Sequence, residues 1–172
     1  MKIGVYGQFY HRDSETYIQT VLDVLQTKGV KIVVEDKFLK SINKHKDISN
    51  NYSNVSSFTK IDKSYDFFIS IGGDGTLLKS VTFVKNLEIP IIGINTGRLG
   101  FLATIQKEKI SESLQQILNG NYSISKRGLI AVSTVPKIAE IEGLNFALNE
   151  IAINRKNTTS MVKVETSVDS EH

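Results

Sequence analysis

The stretch that decides the fold reads D-F-F-I-S-I-G-G-D-G-T-L-L, from Asp66 to Leu78. Its first half is a run of aromatic and β-branched residues, which is typical of a strand buried on both faces of a sheet. The run stops at Gly72, Gly73 and Gly75, which allow a sharp turn and leave backbone N–H groups open to a ligand. The stretch therefore predicts a strand, a glycine-rich turn and a helix, an arrangement that holds a phosphate at a helix N-terminus.

Two other residues of this turn carry specific expectations. Thr76 is placed to be the N-cap of a helix that continues to about Lys85. Asp74 is unexpected in a site that only binds phosphate, because like charges repel, and an acid there suggests base chemistry or a metal contact. The alternative is a tight Asp-Gly turn that ends a strand, and these residues alone do not separate the two interpretations.

Composition and charge narrow the class of protein. The chain of 172 residues has 21 basic and 18 acidic side chains, a balance too weak and too dispersed to indicate nucleic-acid binding. It has no cysteine, which excludes disulfides, thiolate zinc sites and a cysteine nucleophile and suggests a reducing compartment. Its start becomes polar too soon for a signal peptide, and no apolar run approaches the ~18 residues of a membrane span. We therefore predict a cytoplasmic protein that binds neither nucleic acid nor membrane.

The first part of the chain predicts a β-α-β unit. Residues 2–6 and 30–34 read as strands, and between them an amphipathic helix ends near Gly29, which indicates parallel strands. The G-x-G-x-x-G fingerprint of a simple Rossmann domain is absent from the first turn. Residues 40–57 lose all periodicity and predict a polar surface loop, in which His45 is either a ligand contact or a solvated side chain.

A second glycine-rich loop, N-T-G-R-L-G-F-L at 95–102, follows the strand predicted at 89–94. Two such loops on neighbouring parallel strands face one crevice, where open α/β sheets bind ligands. Asn95 opens this loop and belongs to the predicted nucleotide site. Arg98, further along it, either holds a phosphate or pairs with a nearby carboxylate. An amphipathic helix follows at 110–118.

The pattern changes from helical to alternating after Gly120. Segments 122–132, 146–154 and 161–168 predict strands, although so few strands make a marginal sheet. We therefore predict an α/β protein: a parallel-sheet, Rossmann-like domain (1–122) followed by the start of an all-β, β-sandwich domain (123–172). In the latter, Asn149 and Glu150 either bind ribose hydroxyls or form a polar pair at a strand start.

Three motifs together resemble the bacterial NAD kinase family: G-G-D-G-T-L-L at 72–78, N-T-G-R-L-G-F-L at 95–102 and L-N-E at 148–150. The first motif alone is shared with diacylglycerol and sphingosine kinases and, loosely, with phosphofructokinases. The second is similar to the NAD kinase form almost residue for residue, whereas lipid kinases carry P-x-G-T-x-N-D after the following strand. A lipid kinase or a non-catalytic nucleotide-binding module is the alternative.

The resemblance implies an activity and a set of site residues. The activity is Mg²⁺-dependent transfer of the γ-phosphoryl group of ATP, or of polyphosphate, to the 2′-hydroxyl of the adenosine ribose of NAD, which gives NADP. Asp74 matches the general base, and no metal ligand is predicted. Family contacts with NAD match Gly75, Asn149 and Glu150, and some members add positions that match Lys79 and Ser160. The other predicted nucleotide contacts are Gly72, Gly73, Asp74, Thr76 and Asn95.

Members of the family are longer than 172 residues. After a strand that resembles M-V-K-V-E-T they carry a D-G-L/V strand and a T-P-T-G-S-T-A-Y motif, which complete the NAD pocket. Neither is present here. We therefore expect a truncated NAD kinase that binds nucleotide weakly and catalyses little, from a family that usually forms dimers or tetramers.

Overall fold

The computed structural model describes residues 1–9, 13–48, 52, 55–98, 100–155 and 161–169. The chain divides into two compact units, Met1–Lys126 and Arg127–His172. Within the described ranges, no helix is long and apolar enough to cross a lipid bilayer.

The first unit alternates strands and helices along the chain. In order they are β1 (Lys2–Gly7), α1 (Ser14–Thr27), β2 (Lys31–Glu35), α2 (Asp36–Lys44), β3 (Ser56–Phe58), β4 (Phe67–Gly72), α3 (Asp74–Val84), β5 (Ile91–Asn95), β6 (Ile105–Gln106) and α4 (Ile110–Leu118). Helix α1 buries Ile18, Val21, Leu22 and Leu25, the three- and four-residue spacing that one helix face requires. Its end is marked by Gly29, whose φ of +66° favours glycine.

Six strands of the described first unit form one parallel sheet in the order β3-β2-β1-β4-β5-β6. Strand β4 is buried at every position, as its continuous apolar run requires for a strand covered on both faces. This sheet confirms the predicted α/β, Rossmann-like class. The strand order reverses between β1 and β4, and nucleotides bind at the carboxyl ends of the strands at such a point.

Packing against the sheet fixes the position of α3. The ring of Phe68 in β4 is fully buried, and its centroid lies 5.9 Å from that of Phe83 in α3. A Cβ at Gly93 of β5 would come within 2.7 Å of the Leu77 side chain, so glycine lets α3 lie close to β5. The first turn of α3 is thereby held at the carboxyl edge of the sheet.

The prediction of an unbroken polar loop at 40–57 is wrong at both ends, since residues 56–57 belong to β3 and residues 40–44 to α2, and at one internal position. Residues 40–44 belong to α2, because the Glu35 carboxylate accepts the Phe38 N–H at 2.8 Å and caps a helix whose buried face is short. Tyr52 is buried, and its hydroxyl donates to Asp23 at 2.6 Å. The ring of His45 stacks on that of Phe9 with centroids 4.8 Å apart and its side chain is 30% exposed, so this histidine is partly solvated.

The second unit holds much less regular structure than its sequence pattern predicts. Two strands, β7 (Ile130–Ala131) and β8 (Phe146–Ala147), form an antiparallel pair, and one turn of helix, α5 (Ala139–Glu142), lies between them in the chain. The long strands predicted at 122–132 and 146–154 shrink to these short pieces, and described residues 161–167 form no strand. This small antiparallel sheet bears out only part of the predicted β-sandwich start. Alternation alone does not hold a strand when the apolar face has no surface to pack on.

Candidate active site

The turn between β4 and α3 depends on Gly72. This residue has a φ of +154°, and a Cβ there would overlap the side chain of Thr76. Helix α3 begins at Asp74 with Gly73 as its N-cap, because the Gly73 carbonyl accepts the N–H groups of Thr76 at 3.0 Å and Leu77 at 3.2 Å. The prediction that Thr76 is the N-cap is therefore wrong. Thr76 lies in the first helical turn and is fully buried against the turn.

The two other glycines of the turn face open space. A Cβ at Gly73 or at Gly75 would meet no atom within 4 Å outside its chain neighbours and its own helix backbone. Packing within the chain therefore does not explain these glycines. Side chains there would instead occupy open space beside the first amides of α3.

The carboxylate of Asp74 joins the two glycine-rich loops. Its Oδ2 accepts the N–H of Phe101 at 2.8 Å, and its Oδ1 accepts those of Leu102 at 3.0 Å and Ala103 at 3.2 Å. The expectation that both loops meet at one edge of the sheet is confirmed by these bonds. Partial burial acts to raise the pKa of Asp74, but the three backbone hydrogen bonds outweigh it and hold this pKa below its ordinary value of 3.8. The group is therefore an anion at neutral pH.

The second glycine-rich loop is organised by Asn95. This side chain is 2% exposed; its Nδ2 donates to the Arg98 carbonyl and its Oδ1 accepts the Gly97 N–H, both at 2.8 Å. Both ends of the amide are thus used inside the loop, and a nucleotide contact by Asn95 stays a prediction. Arg98 is exposed. Thr96 is 3% exposed, and its hydroxyl has no hydrogen-bond partner among the described residues.

Sequence reasoning did not single out Gln8, which follows β1 at the switch point. Its Oε1 accepts the Thr76 hydroxyl at 3.4 Å, so it links the end of β1 to the first turn of α3. The sequence signal that could have identified it is a polar residue directly after the first strand of a β-α-β unit.

The remaining predicted contacts belong to α3, to the second unit and to residues that the structure does not describe. Lys79 is exposed on α3. Asn149 and Glu150 are exposed in the second unit, shortly after β8, and neither lies in a strand. Ser160 falls outside the described residues. The contact of each with a nucleotide stays a prediction.

The described part of the chain does not fit a Mg²⁺ ion held by the protein alone. It contains no group of three or more histidine, aspartate or glutamate side chains placed to hold a metal. Three oxygen lone pairs of Asp74 already accept N–H groups, which a cation would have to displace. Magnesium commonly binds through substrate phosphates and water with one or two carboxylates, and we assign it no protein ligand.

Comparison with known proteins identifies the first unit. Residues 3–122 match the family described as the ATP-NAD kinase N-terminal domain. This chain belongs to the NAD kinase family. It is 47% identical to the NAD kinase of Christiangramia forsetii and 46% identical to that of Flavobacterium psychrophilum, in each case over all 172 of its residues. The chain spans 58% of the length of both relatives.

A solved structure shares the fold. The crystal structure of yeast NADH kinase complexed with NADH superposes with a TM-score of 0.57 at 16% sequence identity, over 74% of this chain and 40% of that one. At this sequence identity, the likeness supports the Rossmann-like fold of this chain and no statement about its site residues or ligands.

Proposed function

We propose that this chain carries the phosphoryl-transfer edge of an NAD kinase, which moves the γ-phosphoryl group of ATP to the 2′-hydroxyl of the adenosine ribose of NAD. Family membership supports the reaction. The observation that carries the proposal is the position of the Asp74 carboxylate, at the start of α3 and beside the loop that follows β5. Nucleotides bind at this edge of open α/β sheets.

The phosphates are expected to lie over Gly73 and Gly75. These positions are open, and they lead to the first amides of α3, an 11-residue helix whose positive dipole end faces the same edge. Thr76 and Gly72 shape the turn beneath. Asp74 is beside this place but is not expected to bind a phosphate, because a carboxylate and a phosphate are both negatively charged and repel each other. Its role is therefore expected on the acceptor hydroxyl.

Asp74 is expected to orient the hydroxyl and accept its proton late in the reaction. A carboxylate with a pKa below 3.8 cannot remove a proton from a free sugar hydroxyl beforehand, because the hydroxyl is far less acidic. Phosphoryl transfer needs chiefly in-line positioning and charge stabilisation, with the base accepting the proton as the new bond forms. A carboxylate held by three amides meets the need for positioning.

The NAD side of the site is proposed for Asn149 and Glu150, with Gly75, Lys79 and Ser160 as further contacts. An amide beside a carboxylate suits ribose hydroxyls, since the amide donates and accepts while the carboxylate accepts. We propose the second unit as the start of the NAD-binding β domain, ATP or polyphosphate with Mg²⁺ as the donor, and a homo-oligomer as the assembly of the whole protein.

An assay of NADP formation tests the proposal. The purified chain is incubated with NAD, ATP and Mg²⁺, and NADP is measured by enzymatic cycling. We expect slow NADP formation by the native chain and a fall of about 100-fold or more in Asp74→Asn, because the acceptor of the hydroxyl proton is lost. Asp62→Asn is the matched control, since Asp62 is exposed and precedes β4, at the other end of the strand; its turnover should equal that of the native chain.

Three results contradict the proposal. Phosphorylation of diacylglycerol in place of NAD identifies a lipid kinase. Calorimetric binding of ATP or NAD with no NADP formed, even at high protein concentration, identifies a non-catalytic binding module. Native turnover by Asp74→Asn removes Asp74 from the chemistry.

A further inference from the structure

We propose that residues 100–103 are a positioning element for Asp74, and that Gly100 is the residue on which this element depends. The inference rests on the proposed function for its substrate, a ribose hydroxyl. Its geometric basis is the set of contacts between Asp74 and residues 100–103, all within the first unit.

Among the described residues, three amide hydrogen bonds to the Asp74 carboxylate leave one of its acceptor positions free. A carboxylate has about four lone-pair positions, two on each oxygen. Oδ1 of Asp74 accepts two N–H groups, from Leu102 and Ala103, and is filled. Oδ2 accepts one, from Phe101. The structure therefore assigns the substrate hydroxyl to Oδ2, where it shares the oxygen with the Phe101 amide.

Gly100 is glycine because of Asp74 and not because of its own backbone. A Cβ at Gly100 would overlap Cγ, Oδ1 and Oδ2 of Asp74, and these are the nearest atoms that it would meet. Gly100 does not have the positive φ found at Gly72. An alanine there would keep the local backbone but push the carboxylate off its three donors.

The element fixes Asp74 from a distant part of the chain. Its amides lie 27 to 29 residues beyond Asp74 in sequence and belong to the loop after β5, whereas Asp74 begins α3 after β4. The Asp74 side chain therefore starts from the end of β4 and is hydrogen-bonded by the loop that follows β5. Because a misplacement of about 1 Å costs ~100-fold in rate, residues 100–103 influence the rate through the position of Asp74.

The three hydrogen bonds from the amides of residues 101–103 to the Asp74 carboxylate are called the tether below. Nuclear magnetic resonance on the native 172-residue chain tests this tether without any assay of turnover. The amide protons of Phe101, Leu102 and Ala103 are expected to exchange slowly at neutral pH and to shift with the same pH midpoint as the Asp74 carboxyl carbon. In Gly100→Ala this midpoint should rise toward the ordinary aspartate pKa and the three amides should exchange faster. Gly128→Ala is the control, because a Cβ at Gly128 meets no atom within 4 Å.

Turnover and ligand titration test the role of the element. Gly100→Ala should lower kcat for NADP formation by roughly 10- to 100-fold with a smaller change in KM for NAD, because positioning is lost rather than binding. Adding Gly100→Ala to Asp74→Asn should lower turnover no further. Addition of NAD to the native chain should move the Phe101 amide signal more than that of Ala103.

Each failure has a separate meaning. Native exchange and native kcat in Gly100→Ala overturn the tether, and a lost tether with native kcat overturns the positioning role. A native chain that makes no NADP contradicts the proposed function alone, and an unmoved Phe101 signal on binding NAD overturns the assignment to Oδ2. If Gly100→Ala does not fold, Asp74→Asn must speed exchange at the three amides, or the tether is wrong.

Discussion

The two units treat similar apolar sequence in opposite ways. In Met1–Lys126 the core residues Val5, Ile69 and Ile94 are fully buried, each with 0% of its surface exposed. In the described part of Arg127–His172, Met161 is 99% exposed and Ile153 69%, although both lie in segments predicted to be strands. An apolar residue in a strand pattern therefore stabilises a strand only where helices or a second sheet cover it, as they do in the first unit.

The difference appears in the longest strands of the two units. Strand β4 has six residues with a fully buried pattern, whereas β7 and β8 have two residues each. A lone antiparallel pair buries little surface and is marginal by itself. The alternating sequence of the second unit thus describes a face that needs a partner surface.

The largest expected effect comes from truncating one isoleucine in each unit. Ile69→Ala removes a side chain that is 0% exposed and should lower the free energy of unfolding by about 2–5 kcal/mol, because it leaves a cavity beside lost apolar contacts. Ile153→Ala, at a side chain that is 69% exposed, should change it by less than about 0.5 kcal/mol. Urea unfolding followed by circular dichroism measures both. Similar losses in the two variants would show that the second unit buries Ile153.

The fold of the first unit could be predicted because its signals are local. The run before Gly72 is continuous and apolar, and α1 repeats its buried residues at helical spacing. Helix α2 escaped prediction because only Phe38, Leu39 and Ile42 are buried in it and its flanks are polar. The buried Tyr52 escaped because its partner, Asp23, lies 29 residues away.

The sequence predicted the acidic residue and the glycines of the candidate site, but it did not predict the hydrogen bonds that these residues make. Sequence reasoning found Asp74 from its odd position among glycines, and it expected the second loop nearby. It could not show that Asp74 accepts three amides of that loop, because backbone donors carry no sequence signature. For the same reason it named Gly100 only as part of a motif. It missed the link from Gln8 to Thr76 because these two side chains lie 68 residues apart in the sequence.

Replacing a threonine by valine should have a smaller effect on stability. The change should stabilise the first unit and loosen the structure of the second. Thr96 is 3% exposed and its hydroxyl has no partner among the described residues, so Thr96→Val should raise the free energy of unfolding by about 1 kcal/mol. In the second unit the Thr134 hydroxyl accepts the Ile138 N–H at 3.1 Å, so Thr134→Val should speed exchange of that amide. Urea unfolding and hydrogen exchange measure the pair. Destabilisation by Thr96→Val would show that its hydroxyl is hydrogen-bonded in solution.

The smallest expected effect is a dependence of the free energy of unfolding on pH. Of the two carboxylates compared here, only Asp74 in the first unit should produce it. The pKa of Asp74 is lowered in the folded chain, so its contribution to stability is present above the unfolded pKa of about 4 and is lost as the pH falls through the folded value. The gap in unfolding free energy between the native chain and Asp74→Asn should therefore stay constant from pH 7 to about 5 and narrow below 4. Glu165→Gln removes the exposed ion pair with Lys163, whose side chains are 68% and 86% exposed, and should change stability by less than about 0.5 kcal/mol throughout. Urea midpoints measured across this range decide the matter: a gap that does not narrow in acid would mean that the three amides do not hold the Asp74 carboxylate in solution.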